Sequence, residues 1–232
     1  MPILAIETSM TACSAAILPA EASEPIQRFE PMARGHAEAI FPMIEAVMAA
    51  SGCGYEALTK IAVTLGPGSF TGVRAGVAAA RGMALAAKAP LVGATSLEVM
   101  ARGCVRRTEA ETRSGGFAVL HDARRGELYV QLFNAEGEAI GEAQLLTLSQ
   151  TLAALPAEMR LIVGSGAAAV AEAAKERGRD LSPALADLLP EAADLAILAA
   201  DRAPAERPPA PLYLRPPDAK PQTDKSVVRA QS

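Results

Sequence analysis

Tryptophan is absent from the 232 residues, and phenylalanine and tyrosine together make up only 3%. A core without large rings must be filled by Ala, Leu, Ile, Val and Met, so its elements have to approach closely. Cysteine is scarce as well. Cys13, Cys53 and Cys104 are odd in number and far apart in sequence, which argues against a disulfide framework and for a reducing, cytoplasmic compartment. The only histidines are His36 and His121, too few for a typical histidine-built zinc centre, which needs three or four converging ligands. No run of eighteen apolar residues occurs, so nothing reads as a membrane span. No basic stretch precedes the apolar opening MPILAIETSM, which reads as a first strand and not a signal peptide. Basic residues number 22 against 26 acidic ones, a net charge of -4, so there is no general attraction for nucleic acid.

Half of the residues are apolar, enough for a sizeable core. Residues 3–6 read as a buried strand, 8–12 as a turn and 13–18 as the return strand of a hairpin, with a third strand before Pro31. In GHAEAIFPMIEAVMAASG the apolar positions Ile40, Phe41, Ile44, Val47 and Met48 recur at helical spacing. Pro42 makes this helix begin near it or bend there. KIAVT runs as a strand into the corner LGPGSFTGVRAG, and a long Ala/Gly-rich helix follows, capped by Ser69 or Thr71 and stopped by Pro90. A short strand and a capped helix complete this half.

The second half echoes the first. FAVLHDARRGELYVQLF is again strand, acidic turn and strand, and NAEGEAI turns into a third. LIVGSGA is again a strand entering a glycine corner before a helix, and EAADLAILAADRA is a further helix. The repeated order predicts a duplicated mixed α/β lobe. A shift to charge at 106–116 sets the boundary: residues 1–108 form the first lobe and 109–217 the second. Seven prolines crowd the last 29 residues. PLYLR is expected to lie extended against the body, with the chain end packing back on the first lobe, and 218–232 to form a loose tail.

The glycine corner has two readings. It lacks the lysine of a Walker loop, yet its amides at a helix start can hold an anion. Alternatively Gly72, Gly76 and Ala80, spaced by four, with Ala75, Ala79 and Gly82 near the same side, make a smooth helix face that another helix can approach, flanked by Arg74 and Arg81; the packing reading is preferred. Glu7, Thr8 and Ser9 end the first strand, and Asp122 is the equivalent in the second half. An acid beside hydroxyls can hold magnesium and phosphate through water, or the hydroxyls simply satisfy a turn. No third carboxylate stands out as a base. The arginines 102, 106 and 107, and the pair 124 and 125, form small basic patches diluted by glutamates.

ILAIETS, GHAEAIFPMIEAVM, LGPGSFTGVRAGVAAARGMALA, VGATSLE, DARRGELYV and the late PLYLR together resemble the bacterial TsaB family, formerly grouped with glycoprotease-like proteins. The match runs from residue 3 to about residue 133 and is loose between there and PLYLR. The resemblance implies an actin-like, sugar-kinase-like fold in two lobes. It implies a noncatalytic dimerisation and scaffold subunit in making N6-threonylcarbamoyladenosine, beside the anticodon of tRNAs that read codons starting with A. Its partners would be a TsaD-type transferase and a TsaE-type ATPase, with tRNA reached through the complex and a homodimer formed when the chain is alone. No tightly bound cofactor is implied, and ATP or ADP enters only at the level of the complex. In the transferase a metal is held partly by two histidines four apart; here His36 is followed at that spacing by Ile40, which argues against catalysis and against a peptidase. The family's opening acid is usually Asp; Glu7 would displace the carboxylate by about 1.5 Å. The family contact surface is formed by two helices of the first lobe, here 37–48 and 70–86, and on these the expected interface residues are Ile40, Ile44, Val47, Gly72, Arg74, Gly76, Ala79 and Arg81. The competing reading is an autonomous ATPase or phosphotransferase of the same fold.

Overall fold

The computed structural model describes residues 1–204 and 208–215. The chain opens with β1 (Ile3–Glu7), β2 (Ala12–Leu18) and β3 (Ile26–Pro31), an antiparallel meander. After α1 (His36–Ser51), strand β4 (Lys60–Thr64) enters parallel beside β1. After α2 (Phe70–Ala87), strand β5 (Leu91–Ala94) joins parallel to β4. The sheet order is β3-β2-β1-β4-β5. Helix α3 (Ser96–Arg107) then leads to the second half, where β6 (Phe117–Asp122), β7 (Glu127–Phe133) and β8 (Gln144–Thr147) form another antiparallel meander. Helix α4 (Leu148–Ala154) precedes β9 (Leu161–Val163), parallel to β6, and α5 (Ala167–Lys175) precedes β10 (Ser182–Ala184), parallel to β9. The second order, β10-β9-β6-β7-β8, repeats the first strand for strand. The fold is therefore the two-lobed, actin-like and sugar-kinase-like architecture. The third strand of the second meander lies at 144–147, later than NAEGEAI, because 134–138 closes a turn on Asn134.

Local chemistry sets the element ends. Gly35 at φ +90° precedes α1, and Gly52 at φ +66° ends it by donating its N–H to Ala49 O. Pro42 lies inside α1 on its exposed side. Thr95 and Glu98 close a capping box at the start of α3, and Thr147 with Gln150 does the same for α4.

Each sheet is covered on both faces. Leu4, Ile6 and Val63 of the first sheet pack with Ile40, Ile44, Val47, Val73 and Val77 of α1 and α2. On the other face Ala5, Ala16, Ala62 and Ala94 meet Ala192, Leu195, Ala196 and Ala199 of the last helix, α6 (Ala192–Ala200). Small side chains on both sides let helix and sheet come close without rings to fill the gap. In the second lobe, α4 and α5 cover one face through Leu152 and Val170. The other face, with Phe117, Val119 and Phe133, is covered by Leu97, Met100 and Cys104 of α3.

The covering helices thus cross between lobes. Helix α3 follows the first sheet in sequence yet packs on the second, and α6 follows the second yet packs on the first. The division at residue 108 describes the sheets but not their helices. Arg106 ties the two helices together, donating from Nε and Nη2 to both oxygens of the buried Asp194 at 2.9 Å. Arg202 pairs with Glu98 at the base of the same joint.

The segment 208–215 crosses the body as an extended strap. Leu212 N–H donates to Leu65 O at 2.7 Å, Arg81 donates to Pro209 O at 2.8 Å, and Arg215 reaches Glu127 of the second lobe. The tail expected beyond Asp218 lies outside the described residues. Among the described residues no helix is long and apolar enough to cross a membrane.

Candidate functional site: a sealed corner, a cleft and an open helix face

The glycine corner packs on the turn after β1. A Cβ at Gly68 would stand 2.1 Å from Ser9 O, and one at Gly72 would stand 2.1 Å from Thr8 O. At Gly76 it would stand 2.3 Å from Thr8 Oγ1. These are backbone and short side-chain atoms that cannot swing away. Thr8 Oγ1 donates to Gly72 O at 2.7 Å, and Ser69 N–H donates to Ser9 O at 2.7 Å. The Ser69 hydroxyl caps α2 by accepting from Gly72 N–H. The first turn of α2 is therefore laid directly on the β1–β2 turn, while Gly68 and Ser69 of the corner also line the interlobe cleft.

Glu7 is buried beside this contact, on the face of the sheet that α6 and the start of α3 cover. Its Oε1 accepts from Ser9 N–H at 2.7 Å, from Thr64 Oγ1 at 3.0 Å and from the Ser9 hydroxyl. Its Oε2 has no partner. Ser96 Oγ donates to Ser9 Oγ at 2.7 Å, which joins this network to the start of α3. Burial pushes the Glu7 carboxyl up to about 7, against the hydrogen bonds from Ser9 and Thr64, which favour the anion. The carboxyl has no face on the cleft, so the magnesium role open to it on sequence grounds has no geometry to support it.

A cleft of about 360 Å³ lies between the lobes, lined by Ser9 and Thr11 from the first turn and by His121, Asp122 and Arg124 from the second. Arg215 of the strap closes one side. Asp122 Oδ1 accepts from Arg124 N–H at 2.8 Å, and the Ser165 hydroxyl bridges Asp122 N–H and His121 Nδ1. Burial is the main cause that lowers the His121 pKa. Thus Ser9 and Asp122 reach the same cleft, while Thr8 is spent on Gly72 and Glu7 is walled off. His36 is buried, with Nε2 on Met10 O at 2.9 Å. Among the described residues no three His, Cys, Asp or Glu side chains gather as a metal site.

The expected interface residues divide sharply. Ile40, Ile44, Val47, Gly72, Gly76 and Ala79 are buried in their own lobe and present nothing to a partner. The smooth face of α2 turns inward because only glycine lets that helix rest on the β1 turn. Arg74 and Arg81 face outward, and both are used by the strap: Arg74 Nε donates to Tyr213 OH at 2.8 Å, with its guanidinium 3.8 Å above the Phe70 ring. Ala78 lies on the outer side too, and so does Gly82, expected on the smooth face but set past the contact with the β1 turn, with nothing within 4 Å of a Cβ there. What the outer side of α1 and α2 exposes is a set of large apolar groups: Phe41 at 49%, Phe70 at 46% and Leu85 at 81% exposure. The residue patterns carried a sign of this, since α1 and α2 hold apolar residues on more than one face.

The family model for TsaD, tRNA N6-adenosine threonylcarbamoyltransferase, matches residues 30–197. The chain is 38% identical over 129 residues to the tRNA threonylcarbamoyladenosine biosynthesis protein TsaB of Escherichia coli (strain K12), a stretch covering 56% of this chain and 53% of that protein. The chain thus spans about half the length of that curated relative. A crystal structure of an uncharacterized protein with similarity to peptidase YEAZ from Pseudomonas aeruginosa superposes with a TM-score of 0.77 at 28% identity, over 92% of this chain and 99% of that one. YeaZ from Pseudomonas aeruginosa superposes with a TM-score of 0.72 at 27% identity, over 86% and 92%.

Proposed function

The chain belongs to the family of TsaD, tRNA N6-adenosine threonylcarbamoyltransferase, and from that premise we propose that it is a TsaB-type, noncatalytic scaffold subunit that binds a TsaD-type transferase and supports threonylcarbamoyl transfer to tRNA. The observation that carries this reading is the outer face of α1 and α2. Phe41, Phe70 and Leu85 stand exposed there, on two adjoining helices of the first lobe. Phe70 packs partly against Tyr213 and Arg74, while Phe41 and Leu85 offer large apolar groups that a partner helix could bury. The flat Ala78 and Gly82 between the larger groups suit the close approach of partner helices.

The same reading places this chain in the cytoplasm. It gives a homodimer through the same face when the transferase is absent, a TsaE-type ATPase as third subunit, and ATP or ADP at the level of the complex. An autonomous ATPase is the weaker reading, because the acid it would take from the end of β1 is fully buried and does not line the cleft.

The test is a binding isotherm of the full chain with the TsaD-type transferase of the same cell, run beside a thermal melt. Phe41→Glu combined with Leu85→Glu should weaken association at least a hundredfold and leave the melt within a few degrees of wild type, since neither side chain belongs to the core. Wild-type affinity in that double variant would remove the helix face from the interface and the reading with it. In the same assay Gly76→Leu should fail by unfolding, because its site lies inside the lobe.

A further inference from the structure

Two carboxylates are buried among the described residues, Asp194 and Glu7. Asp194 meets the Arg106 guanidinium with both oxygens. Glu7 meets no cation. Three donors converge on its Oε1, and Oε2 has none.

No cation compensates it from any side. Glu7 lies on the same face of β1 as Ile3 and Ala5, the face that α6 and the start of α3 cover. Its partner in register on β2 is Ser14, whose hydroxyl is engaged with Ala192 N–H at the start of α6. The titratable group nearest on β2 is the Cys13 thiol, itself pushed up to about 12 by burial and by the negative charges of Glu7 and of Glu30 on β3. On β4 the facing group is Thr64. Helix α1 brings His36, whose ring is bound to Met10 O. Helix α2 brings glycines, its arginines being turned outward to the strap. On α3 Glu98 is paired with Arg202, and on α6 Asp194 is paired with Arg106. The first turn of α3 favours negative charge by its dipole, yet none of its amides bonds the carboxyl; only the Ser96 hydroxyl reaches the network, through Ser9.

We propose that Glu7 is held as a neutral carboxylic acid, and that its proton locks the start of α3 onto the first sheet, so that losing the proton loosens the joint between the lobes. The proton resides on Oε2, because Oε1 is already filled with donors. A buried hydroxyl without an acceptor costs far less than a buried charge without a counter-ion. Once ionised, the carboxylate can be solvated only if Ser9 and Ser96 part and water enters, and that releases α3. The tie matters because α3 is the helix that passes from one lobe to the other.

The direction with pH follows from proton counting. Burial raises the folded-state value from 4.5 to about 7. Between those values the folded chain holds a proton that the opened chain has lost. Stability therefore falls as pH rises through that window and is level above it. Opening at the start of α3 should grow by up to about tenfold per pH unit across the window, since one unit of pKa corresponds to a tenfold change in equilibrium.

The experiment uses the full chain. Carbon-13 NMR of the glutamate side-chain carboxyls, with the Glu7 signal assigned by its loss in Glu7→Gln, should give a midpoint near neutrality for this residue; a midpoint in the ordinary carboxylate range overturns the proposal. Hydrogen exchange at the Ser96 and Val99 amides, corrected for the intrinsic rate, should rise steeply between pH 5 and 7 in wild type and stay flat in Glu7→Gln. Equal pH dependence in both proteins would overturn the link to α3. Should Glu7→Gln fail to fold, the Glu7 carboxyl is assigned in the wild-type chain by through-bond correlation to its own backbone amide, and the same midpoint decides.

Discussion

In the first lobe the turn after β1 is largely buried, with Met10 among its short polar residues, and is roofed by the first turn of α2. In the second, the equivalent turn after β6 stands in solvent and carries Arg124 and Arg125. Strand order is the same in both lobes, and so is the glycine corner after the fourth strand: Gly166 N–H donates to Leu120 O as Ser69 N–H donates to Ser9 O. The helix that follows differs. Helix α2 has 18 residues and α5 has 9. The entry and first two turns of α2 rest on the hairpin turn, which is why Gly68, Gly72 and Gly76 recur at spacing four there, where the second lobe has Gly164 and Gly166 at its corner. The long α2 also supplies the exposed outer face. Duplication fixed the strands, and the lobes then diverged in what their first hairpin supports: a packed platform in one, an open polar turn in the other. Backbone geometry agrees. Arg124 and Arg125 sit at φ 64° and 60°, followed by Gly126 at 75°, a run of left-handed residues at the exposed turn.

The largest effect should come from filling the platform. Gly72→Leu drives a side chain into Thr8 O and should cost about 3 kcal/mol or more, read as a lowered urea midpoint. A cost below about 1 kcal/mol would mean that the hairpin turn can move aside, and the contrast between lobes would lose its basis. Next comes the joint. Asp194→Ala removes the buried acid, but Arg106 remains partly in water, so about 1–2 kcal/mol is expected and not the full cost of a stranded buried charge. Both lobes should melt together in that variant, because each is covered by the other's helix. In the open turn Gly126→Ala meets no atom within 4 Å and pays only for its left-handed backbone, about 1 kcal/mol. Smallest of all, Arg124→Gly relieves the same strain and loosens the unfolded chain, leaving a gain of about 0.5 kcal/mol in the thermal melt. A large loss there would show that the Arg124 side chain supports the turn.

Much of this architecture is legible in the residues. The apolar strands of β1 and β6, each ending in an acid and returning after a short turn, announce the repeat, and VTLGPG and LIVGSG announce the two corners. The inner and outer faces of α2 are not legible in the same way. Val73 and Val77 point in with the glycines, while Phe70 and Leu85 point out, so apolar spacing alone offers two stripes. Only the closeness of Thr8, some 64 residues earlier, decides that the small stripe is the inner one. Glu7 is similar. As a residue beside hydroxyls at a strand end it reads as a ligand; its burial depends on Thr64 and Ser96, which reach it from distant segments. The crossing of α3 and α6 leaves no local mark, because α3 turns Leu97, Met100 and Cys104 to the second sheet and Val99 to the first, and apolar spacing does not say which sheet each residue meets. Strand β10, three residues at a sheet edge, is too short to show a period.

The crossing of α3 and α6 also makes the linker at 109–115 a natural place to divide the gene. The first fragment would carry its sheet with α3 projecting and no α6, and the second would carry its sheet with α6 and no α3. Neither could cover itself, and each would expose the alanine or phenylalanine face that the other's helix was shaped for. Expressed apart, the halves should be insoluble; expressed together, they should find one another and rebuild a single particle. The protein would then behave as a two-piece reporter of encounter, with its own interlobe helices as the matched halves of the latch.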